Sequence, residues 1–343
     1  MPPLKSIDLP PHKEGFGTIF LKSQFCAKPK WAPKSTNLSG KVALITGGGS
    51  GLGFHASRQL LSFKLSHLII TVRSMSRGED AASKLRTEYP TAKIEVWELE
   101  MSSYDSIQSL ARRAATLPRI DIVILNAGIV KPDFSVVEKT GHEEVIQVNY
   151  LSTVLLAILL LPILKTKSAS TPGRLTIVNS GTSYRATFEN RNAIPLLPSF
   201  DDDKDWEGGQ RYACSKLLGH LFLVKLIGYI SVKDVVVNLV DPGLSKSRLN
   251  RDTRGAVKWV MWLAEGIAGR TMEVGASTYV DAAVVKGAES HGCFVMDWEV
   301  KPFAKMVYEP EGKGVIDRLW EETLDELEFA GVKGILKELE GRK

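Results

Sequence analysis

Three cysteines in 343 residues, Cys26, Cys214 and Cys293, are too few and too scattered for a disulfide framework or a CxxC motif. That usage suits a reducing compartment, and a cytoplasmic protein is expected. The six histidines show no ligand spacing, so no metal site is expected. No apolar run opens the chain. Residues 1–17 are polar and proline-containing, without the core of a secretory signal. The most apolar stretch, 151–164, is short for a membrane span and holds Ser152, Thr153 and Pro162, so a buried helix is expected. Charge of one sign is not concentrated anywhere. The net charge is +5 with dispersed basic residues, which gives no nucleic-acid footprint.

The composition that is present, 44% hydrophobic and 24% charged, is that of an ordinary globular protein. The organising stretch is 41–53, KVALITGGGSGLG. Its β-branched, apolar first half reads as a buried strand. Gly47, Ser50, Gly51, Leu52 and Gly53 then form a turn that opens a helix. Strand, glycine turn and helix N-terminus together make an anion site, suited to a dinucleotide pyrophosphate. Further apolar runs at 68–72, 93–99, 120–125, 175–178, 235–240 and 293–296 read as strands. Helical patterns stand between them. This alternation implies an α/β fold, a Rossmann-type doubly wound parallel sheet, with ligand at the carboxyl ends of the strands.

The expected layout is an N-terminal arm (1–38), the sheet domain (39–300) and a C-terminal helical extension (301–343). Phe16, Ile19, Phe20, Leu21 and Phe25 can pack the arm on the body, with a membrane-surface helix as the alternative. Segments 184–211 and 244–272 read as substrate loops. Phe188, Phe200, Trp206, Trp259 and Trp262 there point to a bulky apolar substrate, or simply pack the loops. Arg73 ends the second strand, where a carboxylate would hold a ribose 2′-hydroxyl and an arginine accommodates a 2′-phosphate. Arg77 adds a further positive charge, which favours NADP(H), with a solvated basic loop as the alternative.

Tyr212 and Lys216 are four residues apart and share a helix face. The lysine ammonium is expected to lower the phenol pKa, so that Tyr212 can pass a proton to a carbonyl oxygen. Ser180 ends the fifth strand and can hydrogen-bond that carbonyl, with Thr182 and Ser183 as alternatives. Asn149 can fix a water leading to Lys216.

In this order, Thr46-Gly47-x-x-x-Gly51-x-Gly53, Asn126-Ala127-Gly128, Asn149, Ser180, Tyr212-x-x-x-Lys216 and Pro242-Gly243 resemble the short-chain dehydrogenase/reductase family over about residues 38–300. The resemblance implies a nicotinamide cofactor and the catalytic tetrad Asn149, Ser180, Tyr212 and Lys216. It also implies adenine contacts at Glu100 and Met101, where the family usually has aspartate at the first. Asn126, Ala127, Gly128, Pro242, Gly243 and Ser245 (or Ser247) would complete the cofactor site. Gln24-Phe25, 142–151 and the 275–282 helix resemble the retinol-dehydrogenase-like branch, most of all fungal enzymes of secondary metabolism. The implied activity is NADPH-dependent reduction of a ketone or aldehyde of a bulky polyketide- or terpenoid-like small molecule, reversible as an alcohol dehydrogenase. A non-redox role of the same fold, such as cyclisation, is the second reading. A homodimer through the helices of Asn149 and Tyr212 is implied as well, with the C-terminal tail able to block or extend that face.

Overall fold

The computed structural model describes residues 4–168, 171–204, 206–246, 263 and 265–340. Trp259, Trp262 and Ser247 lie outside the described residues. Eight strands form one sheet: β1 (Val42–Thr46), β2 (His67–Val72), β3 (Lys93–Glu98), β4 (Ile122–Leu125), β5 (Gly173–Val178), β6 (Val235–Asp241), β7 (Cys293–Met296) and β8 (Glu299–Lys301). Their order is β3-β2-β1-β4-β5-β6-β7-β8. All pairings are parallel except β7 with β8. The fold is therefore the doubly wound Rossmann type. β8 is only three residues long, too short to carry a periodicity signal in the sequence.

The period of two along each strand decides which helices it holds. In β1, Val42 and Leu44 face one core while Ala43 and Ile45 face the other. The first core packs α4 (Tyr104–Ala115), α5 (Glu144–Lys167) and α6 (Gly208–Leu226). The second packs α2 (Gly51–Ser62), α3 (Met75–Glu88) and α7 (Met272–Val280). The link between β2 and α3 is short. The helix begins at Met75, which places Arg77 in its first turn. Helix α5 is apolar on all sides, as a helix enclosed by neighbours must be. Among the described residues it is the one helix long and apolar enough to cross a membrane, and 83% of its most apolar window is buried inside the protein.

The arm is helical at α1 (Phe16–Leu21) and continues as a π-turn over Lys22–Cys26. Of its five apolar residues only Ile19 is buried. Leu21 and Phe25 are exposed. At the other end, α8 (Pro310–Glu326) packs on α6, and α9 (Val332–Glu340) packs on α5. Trp320 lies 5.3 Å from the rings of both Phe222 and Tyr229, and the Tyr150 hydroxyl pairs with Thr323 Oγ1 at 2.8 Å. The helix faces through which the resemblance implies subunit pairing are thus covered by the chain's own tail. Trp320 is the largest plug in this cover and only 3% exposed. Trp320→Ala should destabilise the fold by about 3–5 kcal/mol, measured by urea unfolding followed by circular dichroism.

Candidate active site

The sheet order reverses direction between β1 and β4, the switch point at whose carboxyl ends doubly wound sheets take their ligand. Thr46 and Asn126 tie the two strand ends together. Thr46 Oγ1 accepts from the Asn126 and Ala127 N–H groups, both at 2.9 Å. Asn126 Nδ2 donates back to Thr46 O at 2.8 Å, and its Oδ1 accepts from the Tyr279 hydroxyl at 3.1 Å. The side chain of Asn126 is therefore a strut.

The glycine turn fits a dinucleotide phosphate. A Cβ on Gly53 would stand 2.5 Å from Gly47 O, and one on Gly48 would stand 2.6 Å from Ile70. Only glycine lets the turn lie so close on the strands. Gly51 has φ +55° with open space where a Cβ would be, so the turn's outer side is free to receive a ligand. The Ser50 side chain does not cap α2. The helix's first N–H groups, which have no partner within the helix, are left facing that space. Arg73 is exposed at the end of β2, its Nε 3.9 Å from Glu100 Oε2. Glu100 Oε1 accepts from Ser102 N and Oγ. Met101 is buried, and its carbonyl accepts from Ser152 Oγ.

Glu207 caps the start of α6, accepting from the N–H groups of Gly209 and Gln210. The first turn of that helix brings Tyr212 to the end of β5. The Tyr212 phenol lies beside Ser180, near enough for that hydroxyl to favour the phenolate. Ser180 Oγ accepts from Thr182 Oγ1 at 3.0 Å. Ser183 points elsewhere, to His220 Nε2 at 3.4 Å. The Lys216 ammonium sits 5.6 Å from the Tyr212 ring centroid and donates to Val178 O at 3.1 Å. Asn149 lies in a π-turn of α5. Its Oδ1 accepts from Ile129 N at 2.8 Å, and its Nδ2 donates to Ile129 O and Ser215 Oγ. Those bonds pin the loop after β4 and leave the amide committed to protein partners.

The electrostatics differ from the sequence expectation at one point. Burial pushes the Tyr212 phenol well above its ordinary value, the Ser180 hydroxyl opposes this, and the Asp241 charge adds to it. Burial also lowers the Lys216 ammonium to about 8 against the pull of Asp241. Loss of solvation dominates both shifts, and the Lys216 charge that the four-residue spacing brings alongside is not among the influences that move the phenol. The phenol therefore holds its proton at neutral pH.

Two further groups stand at this centre that sequence reasoning did not assign. Asp241 is 3% exposed, with its carboxyl pushed up by burial to about 6 although Arg270 pulls it down. The Gly181 and Gly243 N–H groups stabilise its charged form. Its place directly before Pro242-Gly243 was the signal available. Tyr279, on α7, had none, because only the fold brings it to Asn126. Ser245 is buried and donates to Gly243 O at 3.3 Å. The loop aromatics also differ from the substrate-facing expectation. Phe188 and Phe200 are stacked and fully buried, and Trp206 packs on Phe134 while donating to Pro132 O. They fill the loop rather than line a pocket.

Comparison with known proteins agrees with this architecture. Residues 41–191 match the family described as short chain dehydrogenase. Over 342 residues the chain is 54% identical to "Short chain dehydrogenase/reductase mfmJ" of Annulohypoxylon moriforme, covering 98% of this chain and 99% of that one. It is 44% identical to "Short chain dehydrogenase virL" of Hypocrea virens, covering 93% and 94%. The chain belongs to the short-chain dehydrogenase/reductase family. It is thus a member of a family of oxidoreductases. Solved structures share the fold. A short-chain dehydrogenase from Sphingobium yanoikuyae in complex with NADPH superposes with TM-score 0.53 at 18% identity, over 70% of this chain and 83% of that one. Salutaridine reductase from Papaver somniferum gives 0.55 at 21% identity, over 74% and 99%.

One imidazole joins the loop, the tail and the helix of Asn149. His142 Nδ1 is 3.0 Å from Asp201 Oδ2, and Nε2 is 3.1 Å from Glu326 Oε1. Burial depresses the His142 pKa, but the hydrogen bonds and charges of the two carboxylates prevail and raise it to about 9. A folded pKa above the unfolded value of about 6.5 means stabilisation that is complete below pH ~6.5 and lost as pH rises through ~9. His142→Gln should therefore lose stability against the parent at about pH 6, with the gap closing by about pH 10. Unfolding midpoints at the two pH values measure this.

Proposed function

We propose that this short-chain dehydrogenase/reductase uses NADPH to reduce the carbonyl of a ketone or aldehyde, reversibly as an alcohol dehydrogenase. The observation that carries the reading is Tyr212 beside Ser180 at the carboxyl end of β5, with Lys216 buried behind it next to the switch point. Bound at that switch point, the nicotinamide cofactor supplies the hydride. The N–H groups at Gly47, Ser50, Gly51, Leu52 and Gly53 hold its pyrophosphate, and Arg73 pairs with the 2′-phosphate. Glu100 and Met101 border the adenine. Asn126, Ala127 and Gly128 form the wall of the site, and Pro242, Gly243 and Ser245 border the nicotinamide. The Sphingobium yanoikuyae dehydrogenase of the same fold was solved in complex with NADPH, which supports the choice of cofactor.

The chain's own residues do the acid–base work. Ser180 donates a hydrogen bond to the substrate carbonyl oxygen. Tyr212, protonated at neutral pH, gives its proton to that oxygen as the carbon is reduced, and the product is the alcohol. Lys216 stabilises the phenolate left behind and is the route by which a proton returns. Asn149 holds the loop after β4 and the helix of Lys216 in register. A phenol kept protonated by burial suits the reductive direction. A bulky polyketide- or terpenoid-like substrate is the resemblance's own suggestion, and the inward-packed Phe188, Phe200 and Trp206 add nothing to it. Three free thiols, two of them buried, support a cytoplasmic setting.

Two variants test the reading. Tyr212→Phe should lower turnover about 10²–10⁴-fold while NADPH binding persists, measured by NADPH absorbance on a panel of aromatic ketones and aldehydes. Undiminished turnover would defeat the mechanism. Arg73→Ala should cut the preference for NADPH over NADH by about tenfold or more, read from fluorescence titrations. An unchanged preference would remove Arg73 from the cofactor site.

A further inference from the structure

The Pro242-Gly243 turn is pressed from outside by two side chains distant in sequence. Gly243 has φ +71°, and a Cβ there would stand 2.8 Å from both Arg270 Nη1 and the Gln24 side-chain amide. Arg270 is buried at 8% exposure. Its Nη1 donates to Pro242 O at 3.1 Å, and its Nη2 donates to Ser23 O at 2.9 Å. The same nitrogen is ion-paired with Asp297, and Ser23 Oγ donates to Asp297 Oδ1 at 2.7 Å. The guanidinium also lies 4.9 Å from the Trp298 ring centroid. With its amide nitrogen facing carbonyls, Gln24 donates to Leu244 O (3.2 Å) and Ala268 O (3.0 Å), and accepts from Leu244 N (3.1 Å). Arg270 N completes the junction by donating to Leu244 O at 2.8 Å. The arm, the turn after β6, residues 268–270 and the β7–β8 turn therefore meet at one buried polar knot.

The backbone at this knot breaks a local rule. Asp297 and Trp298 form the two-residue turn between β7 and β8, with φ of 56° and 58°. Asn-Gly is the pair such a turn prefers, and tryptophan is disfavoured there. The conformation is held because Asp297 is tied to Arg270 and Ser23, while the fully buried Trp298 donates from Nε1 to Ser277 Oγ at 3.1 Å. A buried ion pair is a poor way to gain stability, since well-packed apolar groups do as well or better. What this pair does provide is direction, because with Nη2 held by Asp297 and Ser23 the guanidinium keeps Nη1 on the carbonyl of Pro242. Disfavoured backbone held by such over-determination is found where position matters to function.

We infer that Gln24, Arg270 and Asp297 are positioning residues that fix the Pro242-Gly243 turn, and so make the N-terminal arm part of the nicotinamide end of the active site. The inference rests on the NADP(H) reading above.

The test separates the two halves of the cofactor. Parent, Gln24→Leu and Arg270→Lys are titrated calorimetrically with NADPH and with 2′,5′-ADP, which lacks the nicotinamide. The parent should bind NADPH more tightly than 2′,5′-ADP. Each variant should lose about tenfold or more in NADPH affinity, while its affinity for 2′,5′-ADP stays within about twofold of the parent's. Asp297→Asn, close to isosteric, takes the place of any variant that does not fold. Unchanged NADPH affinity overturns the inference. So does an equal loss for both ligands, which would mark a general structural role. A parent that binds neither ligand overturns the cofactor reading and the inference with it, and that failure is recognisable because it occurs in the unaltered chain.

Discussion

Two parallel strands that part to admit a ligand leave backbone donors and acceptors behind, and these must be satisfied. At the switch point between β1 and β4 that task falls to Thr46 and Asn126. A threonine hydroxyl takes two N–H groups, and an asparagine amide returns a bond to the first strand's last carbonyl. Tyr279 closes the network from α7 on the far side of the sheet. The glycine turn, the loop pinned by Asn149 and the end of β5 are all hung from this cross-link. The site can be open to a ligand and still have a rigid floor.

Above that floor the centre is dry and charged. Lys216 and Asp241 are buried near each other, and desolvation rather than pairing sets their protonation. A phenol held protonated next to a lysine near neutrality is a proton donor awaiting an acceptor. Dryness depends on what covers the site. The tail helices seal the first core over α5 and α6, while the arm and the β7–β8 turn close the side of the Pro242-Gly243 turn. Segments at the two chain ends, beyond the 41–191 family match, thus complete what the central strands begin.

By itself the sequence determined the seven parallel strands of the sheet and the motifs at their carboxyl edge, while the antiparallel β8 was too short to be read. A β-branched apolar run followed by glycines is a local signal, so β1 and the glycine turn were legible from 41–53, and a four-residue spacing was enough to place Tyr212 and Lys216 on one helix face. Tertiary structure alone decided three matters. It set the protonation of Tyr212, because burial is a property of the whole assembly that a four-residue spacing does not record. It turned Phe188, Phe200 and Trp206 inward, because an aromatic in a loop goes to whichever surface closes over it. It brought Ser23, Gln24, Arg270 and Asp297 to one turn across more than half the chain, and no local period can record a contact between residues so far apart.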